Sequence, residues 1–121
     1  MVTREAFIHN VAETTNQFFQ TVFTVQPKET RVIVEKEMII IKLAGIFSPS
    51  EKQLAMTREG DELINKVYKR LFDRAAPILE KMLQQAVNEK IKSSKIEINT
   101  KDMECFCIFT FLGNIEEKLR R

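Results

Sequence analysis

The side chains best suited to chemistry in this 121-residue chain are one histidine and two cysteines. His9 lies in no recognisable motif with an acid, a base or a nucleophile, and a catalytic histidine needs such a partner. Cys105 and Cys107 are separated by one residue, whereas zinc ligands typically follow C-x2-C spacing and a structural zinc site needs four ligands. We therefore expect a surface histidine, two reduced and buried thiols, no catalytic residue, no metal site and no cofactor.

Glycine-rich phosphate loops and common hydrolase motifs are absent from the sequence. Glycine occurs only at positions 45, 60 and 113, so there is neither a GxxxxGK[ST] loop nor a GxGxxG turn. HExxH and GxSxG are missing as well. These absences predict that the chain is not an enzyme.

The clearest helix start in the sequence is Ser48–Glu51. Serine at the N-cap, proline at the first helical position and glutamate at the third form a capping box that begins at Pro49. Free N–H groups at a helix start also attract anions, and two basic residues follow closely. Plain capping is the favoured interpretation. The alternative is a sensor site for a small anion or a nucleotide that uses Ser48, Ser50, Lys52 and Arg58.

Basic residues also follow one edge of the long helix that we predict after residue 60. Such a line binds phosphates or an acidic partner in some proteins. However, Glu62, Asp73 and Glu80 are interspersed, and the formal net charge is only +2, so nucleic acid is an unlikely partner. A solvated face with mixed charges is the favoured interpretation. The alternative, contact with nucleic acid or with a protein partner, would use Lys66, Lys69, Arg70 and Arg74.

The composition predicts one soluble domain over residues 1–121. Apolar residues make up 44% of the chain and charged residues 30%, which is ordinary for a globular domain. No run of eighteen apolar residues is present, so we expect no membrane insertion. The first residues lack the apolar core of a signal peptide, which favours a cytoplasmic location.

Apolar periodicity predicts two amphipathic helices besides the short one at Pro49. The first begins at Arg4 after a Thr3 cap and fades at residues 21–24. The second runs from Asp61 to about Lys90, or restarts earlier with Thr57 as its cap, and Pro77 produces a kink rather than a break. Its predicted apolar face consists of Leu63, Ile64, Val67, Leu71, Ala75, Ile78, Leu79, Met82, Leu83 and Ala86.

Alternating apolar residues predict two β-hairpins, one over residues 31–47 and one over residues 95–112. Ser93 and Ser94 are predicted to lie in the loop before the second hairpin. The order α-β-β-α-α-β-β indicates an α+β fold, in which a four-stranded, mainly antiparallel sheet packs with helices. The last strand is apolar on both sides, so both sides of the sheet need cover. We therefore expect a homodimer.

Residues 43–55, LAGIFSPSEKQLA, resemble the MpsC-like family, which was formerly a domain of unknown function. The family pattern is an apolar strand, a glycine, and a Thr/Ser-Pro-x-Glu-Lys-x-Leu-Ala helix start. The resemblance covers most of the chain and continues at Thr57-Arg58-Glu59-Gly60, Arg74–Leu79 and Ile96–Thr100.

This resemblance implies a component of a bacterial system that translocates sodium and generates a membrane potential. Some relatives concern inorganic carbon uptake. We accordingly expect a non-enzymatic cytoplasmic accessory protein that acts through protein–protein contacts. Its expected partners are a second copy of itself and subunits of a membrane transport or ion-translocating complex.

Overall fold

Two β-hairpins join through their second strands into one antiparallel sheet in the computed structural model, which describes residues 3–119. The sheet order β1-β2-β4-β3 and the element order confirm the predicted α+β class. A short C-terminal helix follows the predicted elements. The elements are α1 (Arg4–Val22), β1 (Glu29–Glu35), β2 (Met38–Ala44), α2 (Pro49–Leu54), α3 (Arg58–Val87), β3 (Ile91–Asn99), β4 (Glu104–Phe111) and α4 (Ile115–Leu119).

Side-chain caps fix where helices α1, α2 and α3 begin. Thr3 Oγ1 accepts from the Ala6 N–H at 3.1 Å, which confirms the predicted start of α1. Thr57 Oγ1 accepts from the Gly60 N–H at 3.0 Å, so α3 begins at Arg58; of the two predicted starts, the Thr57 cap is confirmed and the start at Asp61 is wrong. Helix α3 continues through Pro77 and ends at Asn88, whose φ of 53° is left-handed. The predicted continuation of the helix through Pro77 is therefore confirmed.

The predicted apolar face of α3 is only partly correct. Tyr68, Phe72 and Ala76 are buried, although the prediction omitted them, because α3 packs against α1 on one side and β3 on the other. The buried strip therefore passes around the helix instead of following one aliphatic row. Five residues of the predicted face are exposed instead: Leu63, Val67, Ile78, Met82 and Ala86.

The predicted loop at Ser93 and Ser94 is also wrong, because both residues lie in β3. A bulge between Ile91 and Ser93 shifts the pairing with β4, so period-two alternation fails at this point in the sequence. Ser94 Oγ donates to Glu80 of α3, which compensates a polar residue on the helix side of an edge strand. In the first hairpin, β2 ends at Ala44 because Gly45 turns the chain with φ +70°.

Helices cover one side of the sheet only. Ile39, Ile41 and Leu43 of β2 point to this side and are fully buried, as are Cys105, Cys107 and Phe109 of β4. The Phe72 ring of α3 lies 6.1 Å from the Phe109 ring, which joins the helix layer to the centre of the sheet. The core thus lies between the sheet and a layer formed by α1, α3 and α4. The helices leave the other side uncovered.

Candidate functional site

The three residues with the most reactive side chains lie apart from any catalytic arrangement. His9 Nε2 is 3.1 Å from Glu13 Oε1, and both side chains are about 70% exposed. Cys105 and Cys107 are free thiols within the core. The hydrogen bond with Cys105 and burial raise the pKa of the Cys107 thiol, which disfavours the nucleophilic thiolate. Within residues 3–119 there is no group of three or more side chains that could hold a metal ion.

The helix start at Pro49 has the predicted capping box. Ser48 Oγ accepts from the Glu51 N–H at 3.1 Å, and the Ser48 N–H donates to Glu51 Oε1 at 2.9 Å. The second carboxylate oxygen of Glu51 accepts from the Tyr68 hydroxyl at 2.9 Å. Burial, and then this hydrogen bond, raise the pKa of Tyr68. The Glu51 side chain thus occupies the helix start and connects α2 to α3.

The residues proposed for an anion site near this helix start are dispersed. Ser50 and Lys52 are exposed on α2. Arg58 belongs to the next helix, where its Nε lies 3.4 Å from Glu62 Oε1 and its side chain is 92% exposed. Within residues 3–119, Ser50, Lys52 and Arg58 thus lie on two different helices, and Ser48 alone of the four takes part in the cap.

The predicted basic edge of α3 divides into two parts. Lys66 and Lys69 face an open groove of about 720 Å³ between the start of α3 and the β3–β4 turn, opposite Lys101. Arg70 and Arg74 line no part of that groove. At about 100° per residue, helical geometry places these two arginines within about 80° of Leu63, Val67 and Ile78. Among residues 3–119, none of the ion pairs includes Lys66, Lys69, Arg70 or Arg74.

The exposed large apolar residues of α3 fall into two pairs joined by the half-buried Leu71 and Ala75, and we call this row the outer stripe: Leu63, Val67, Ile78 and Met82. Their exposed fractions run from 44% to 65%. Near its C-terminal end the stripe borders a cavity of about 190 Å³ between α3 and α1, whose apolar walls include Phe18 and Val22. The apolar periodicity of α3 predicted that these residues belong to the core. The signal it overlooked is that arginines share their side of the helix.

A second apolar surface lies on the uncovered side of the sheet, which we call the open face. Its centre consists of residues that alternate with the core residues of β1, β2 and β4: Ile33, Met38, Ile40, Phe106 and Ile108. Beside them Lys42 Nζ pairs with Glu104 Oε2 at 2.9 Å. The hydrogen bond to Glu104 raises the pKa of Lys42. The molecule therefore has two apolar surfaces on opposite sides, and the core lies between them.

The chain is similar to one protein family and to one bacterial protein. No helix within residues 3–119 is both long and apolar enough to cross a membrane. A family model described as "Na+-translocating membrane potential-generating system (MpsC)" matches residues 3–112. YbcI, an uncharacterized protein of Bacillus subtilis (strain 168), is 24% identical over 86 residues, which cover 71% of this chain and 69% of that protein. No solved structure matches the chain.

Proposed function

This chain belongs to the MpsC family, and we propose that it is a non-enzymatic accessory protein of a bacterial membrane system that translocates ions and generates a membrane potential. It acts in the cytoplasm by binding a subunit of that system. The same role extends to systems for inorganic carbon uptake. The observation that carries this proposal is the outer stripe of α3, where exposed apolar residues share one side of the helix with arginines that form no ion pair within residues 3–119.

The outer stripe has the features of a helix-binding surface. Monomeric proteins rarely expose large apolar patches without a partner, and aliphatic anchors four residues apart, as in Leu63/Val67 and Ile78/Met82, are typical of helix-in-groove recognition. The row from Leu63 to Met82 extends over about 28 Å at 1.5 Å per residue. The cavity of about 190 Å³ between α1 and α3 offers a pocket for an inserted aliphatic side chain.

The charge beside the stripe indicates the character of the partner. Arg70 and Arg74 have no acidic partner among residues 3–119. The α1 wall of the cavity contributes Thr14, Gln17 and Thr21, which are uncharged. An amphipathic helix with one acidic edge would match both the uncharged α1 side of the cavity and the two arginines of α3. Arginine binds carboxylates in a bidentate geometry. The proposed partner is therefore an acidic amphipathic helix on the cytoplasmic side of a membrane subunit.

The proposal is tested by affinity purification from detergent-solubilised membranes of the native host. Three tagged forms are compared: the native chain, Ile78→Glu and Gln20→Glu. Gln20 is an exposed residue of α1, so its substitution adds the same charge at a different helix surface. We expect native chain and Gln20→Glu to retain an ion- or carbon-transport subunit. Ile78→Glu should retain at least about tenfold less, because a carboxylate would be desolvated beside the acidic helix.

Two results would contradict this function. One is purification of the native chain without any component of a transport system. The other is equal retention of such a component by the native chain and by both Val67→Glu and Ile78→Glu, which would remove the outer stripe from the contact. Circular dichroism and thermal melting of every variant show whether the fold is intact, and a variant that has lost its fold is replaced by Leu63→Gln.

A further inference from the structure

The open face of the sheet lies on the opposite side from the outer stripe and requires a different partner. An antiparallel sheet can expose one side to water when that side is polar. Here the two central strands instead contribute Met38, Ile40, Phe106 and Ile108. No element within residues 3–119 covers them, since the core residues of every helix face the other side. The apolar centre of this face is the feature that needs a partner.

The size of the open face suits pairing with a copy of itself. Four strands about 4.8 Å apart, each with four outward residues about 6.8 Å apart, extend over roughly 500 Å². Burying this area on two copies removes about 1,000 Å² from water, which reaches the lower range of specific interfaces. A partner of smaller area would leave part of the apolar centre exposed.

Charges at the two ends of one cross-strand row have opposite sign. Strand pairing aligns residues across the open face in a row, in the order Arg31, Lys42, Phe106 and Glu97. The β1 and β2 end of this row is therefore basic, and the β3 end is acidic. The neighbouring row contains Ile33, Ile40, Ile108 and Lys95. The middle of the face is thus apolar. When a second copy is turned over onto it, the basic end of the first row lies over the acidic end of the same row in that copy.

We propose that two copies of this chain associate through their open faces, about a two-fold axis that runs parallel to the strands. This axis places β1 over the partner's β3, so that Arg31 meets the partner's Glu97 and Ile40 meets the partner's Ile108. Lys42 then lies over the ring of the partner's Phe106, where a cation–π contact forms. A two-fold axis perpendicular to the strands, between the two rows, would instead pair Lys95 with the partner's Glu97 and place Arg31 over the partner's Ile33. The strand-parallel axis keeps Lys95 beside Glu97 of its own chain, with which it already forms an ion pair, and charge exchange at Arg31 separates the two axes.

This association differs from the contact in the proposed function and does not depend on it. Packed sheets of this type lie about 10 Å apart and rotate by about 30°. The long side chains of Arg31 and Glu97 span the offset that this rotation produces at the sheet edges. The outer stripes remain on the two outer sides of the pair. The dimer would therefore present two equivalent sites for an acidic helix.

Sedimentation equilibrium of the purified full chain over a range of concentrations tests the association. We expect a monomer–dimer equilibrium for the native chain. Ile40→Asp should abolish the dimer, while circular dichroism shows an unchanged fold. Ile78→Asp on the outer stripe should leave the dimer constant unchanged within about twofold. A monomeric native chain at high micromolar concentration would overturn the proposal, as would dissociation by Ile78→Asp with no effect of Ile40→Asp.

Charge exchange tests the direction of the two-fold axis. Arg31→Glu and Glu97→Arg should each raise the dissociation constant of the dimer by about tenfold to a hundredfold, because each places like charges opposite one another twice per dimer. The double variant R31E/E97R should restore the constant to within about threefold of the native value. Additive losses in the double variant would overturn the strand-parallel axis.

Discussion

The two faces of the sheet are built from the same strands and have opposite roles. On β2, Ile41 is fully buried under the helices, whereas the neighbouring Ile40 lies on the open face. On β4, Phe109 contacts the Phe72 ring, whereas Phe106 faces outward between Lys42 and Glu97. Both faces are apolar, so hydrophobicity alone does not separate the residues that hold the chain together from those that bind another molecule. The two groups are separated by whether a residue lies on the side of the sheet that faces the helix layer or on the open face.

The largest expected effect comes from truncating matched phenylalanines on the two faces. Phe109→Ala should lower the free energy of unfolding by about 3–5 kcal/mol, because it leaves a cavity beneath α3. Phe106→Ala removes the same atoms from a half-buried site and should lower it by less than about 1.5 kcal/mol. Guanidinium denaturation measures both losses at a protein concentration well below the dissociation constant of the proposed dimer, so that lost dimer contacts do not contribute. Equal losses would mean that the two faces do not differ in the way described.

A smaller effect is expected at the α2–α3 corner, which holds the start of α3 over the covered side of the sheet. A Cβ atom at Gly60 would lie 1.8 Å from the Leu54 carbonyl oxygen, so Gly60→Ala must displace the α2–α3 corner. We expect a loss of about 1–3 kcal/mol by thermal or chemical unfolding, with no change in the dimer constant. Glu59→Ala, an exposed neighbour in the same helical turn, is the control and should have little effect. A change in dimerisation without a loss of stability would contradict the separation of the two faces.

The smallest effect concerns the capping box. Ser48→Ala removes the acceptor for the Glu51 N–H and should cost about 1 kcal/mol. Part of this loss would pass to α3, because Glu51 also accepts from Tyr68. Thermal melting compares this variant with Ser50→Ala, which removes an exposed serine that makes no cap. A larger loss for Ser50→Ala would show that the box does not anchor α2.

Features set by local sequence were the most predictable. The capping box at Ser48 and the cap at Thr3 depend on residues three positions apart, and both formed as the sequence indicated. The element order and the pairing of two hairpins also follow from short-range alternation. By contrast, β3 includes Ser93 and Ser94 because β4 and Glu80 of α3 supply their partners, and those partners are distant in the sequence.

The surfaces were harder to predict than the elements. Periodicity identified an apolar face on α3, but aliphatic residues alone gave a row that mixes core with surface. Tyr68 and Phe72 are buried against rings in and next to α1: Phe23, the cap residue after α1, stacks on Tyr68 at 5.0 Å, and Phe18 of α1 meets Phe72 edge-on at 6.4 Å. Such contacts depend on how α1 crosses α3, which no local pattern specifies. The apolar character of both sides of the last strand, however, was evident from alternation, and the predicted cover of its second side by another copy stays a prediction.

The bulge at Lys92 limits how far the molecule can assemble. A regular edge strand offers a row of free backbone donors and acceptors onto which further chains can add. At β3 that row is interrupted between Ile91 and Ser93, and lysines stand on either side of the two serines. Incoming strands would meet a misaligned ladder and a positive charge. The protein therefore has a built-in barrier against fibre growth from this edge, even though the centre of its open face is apolar.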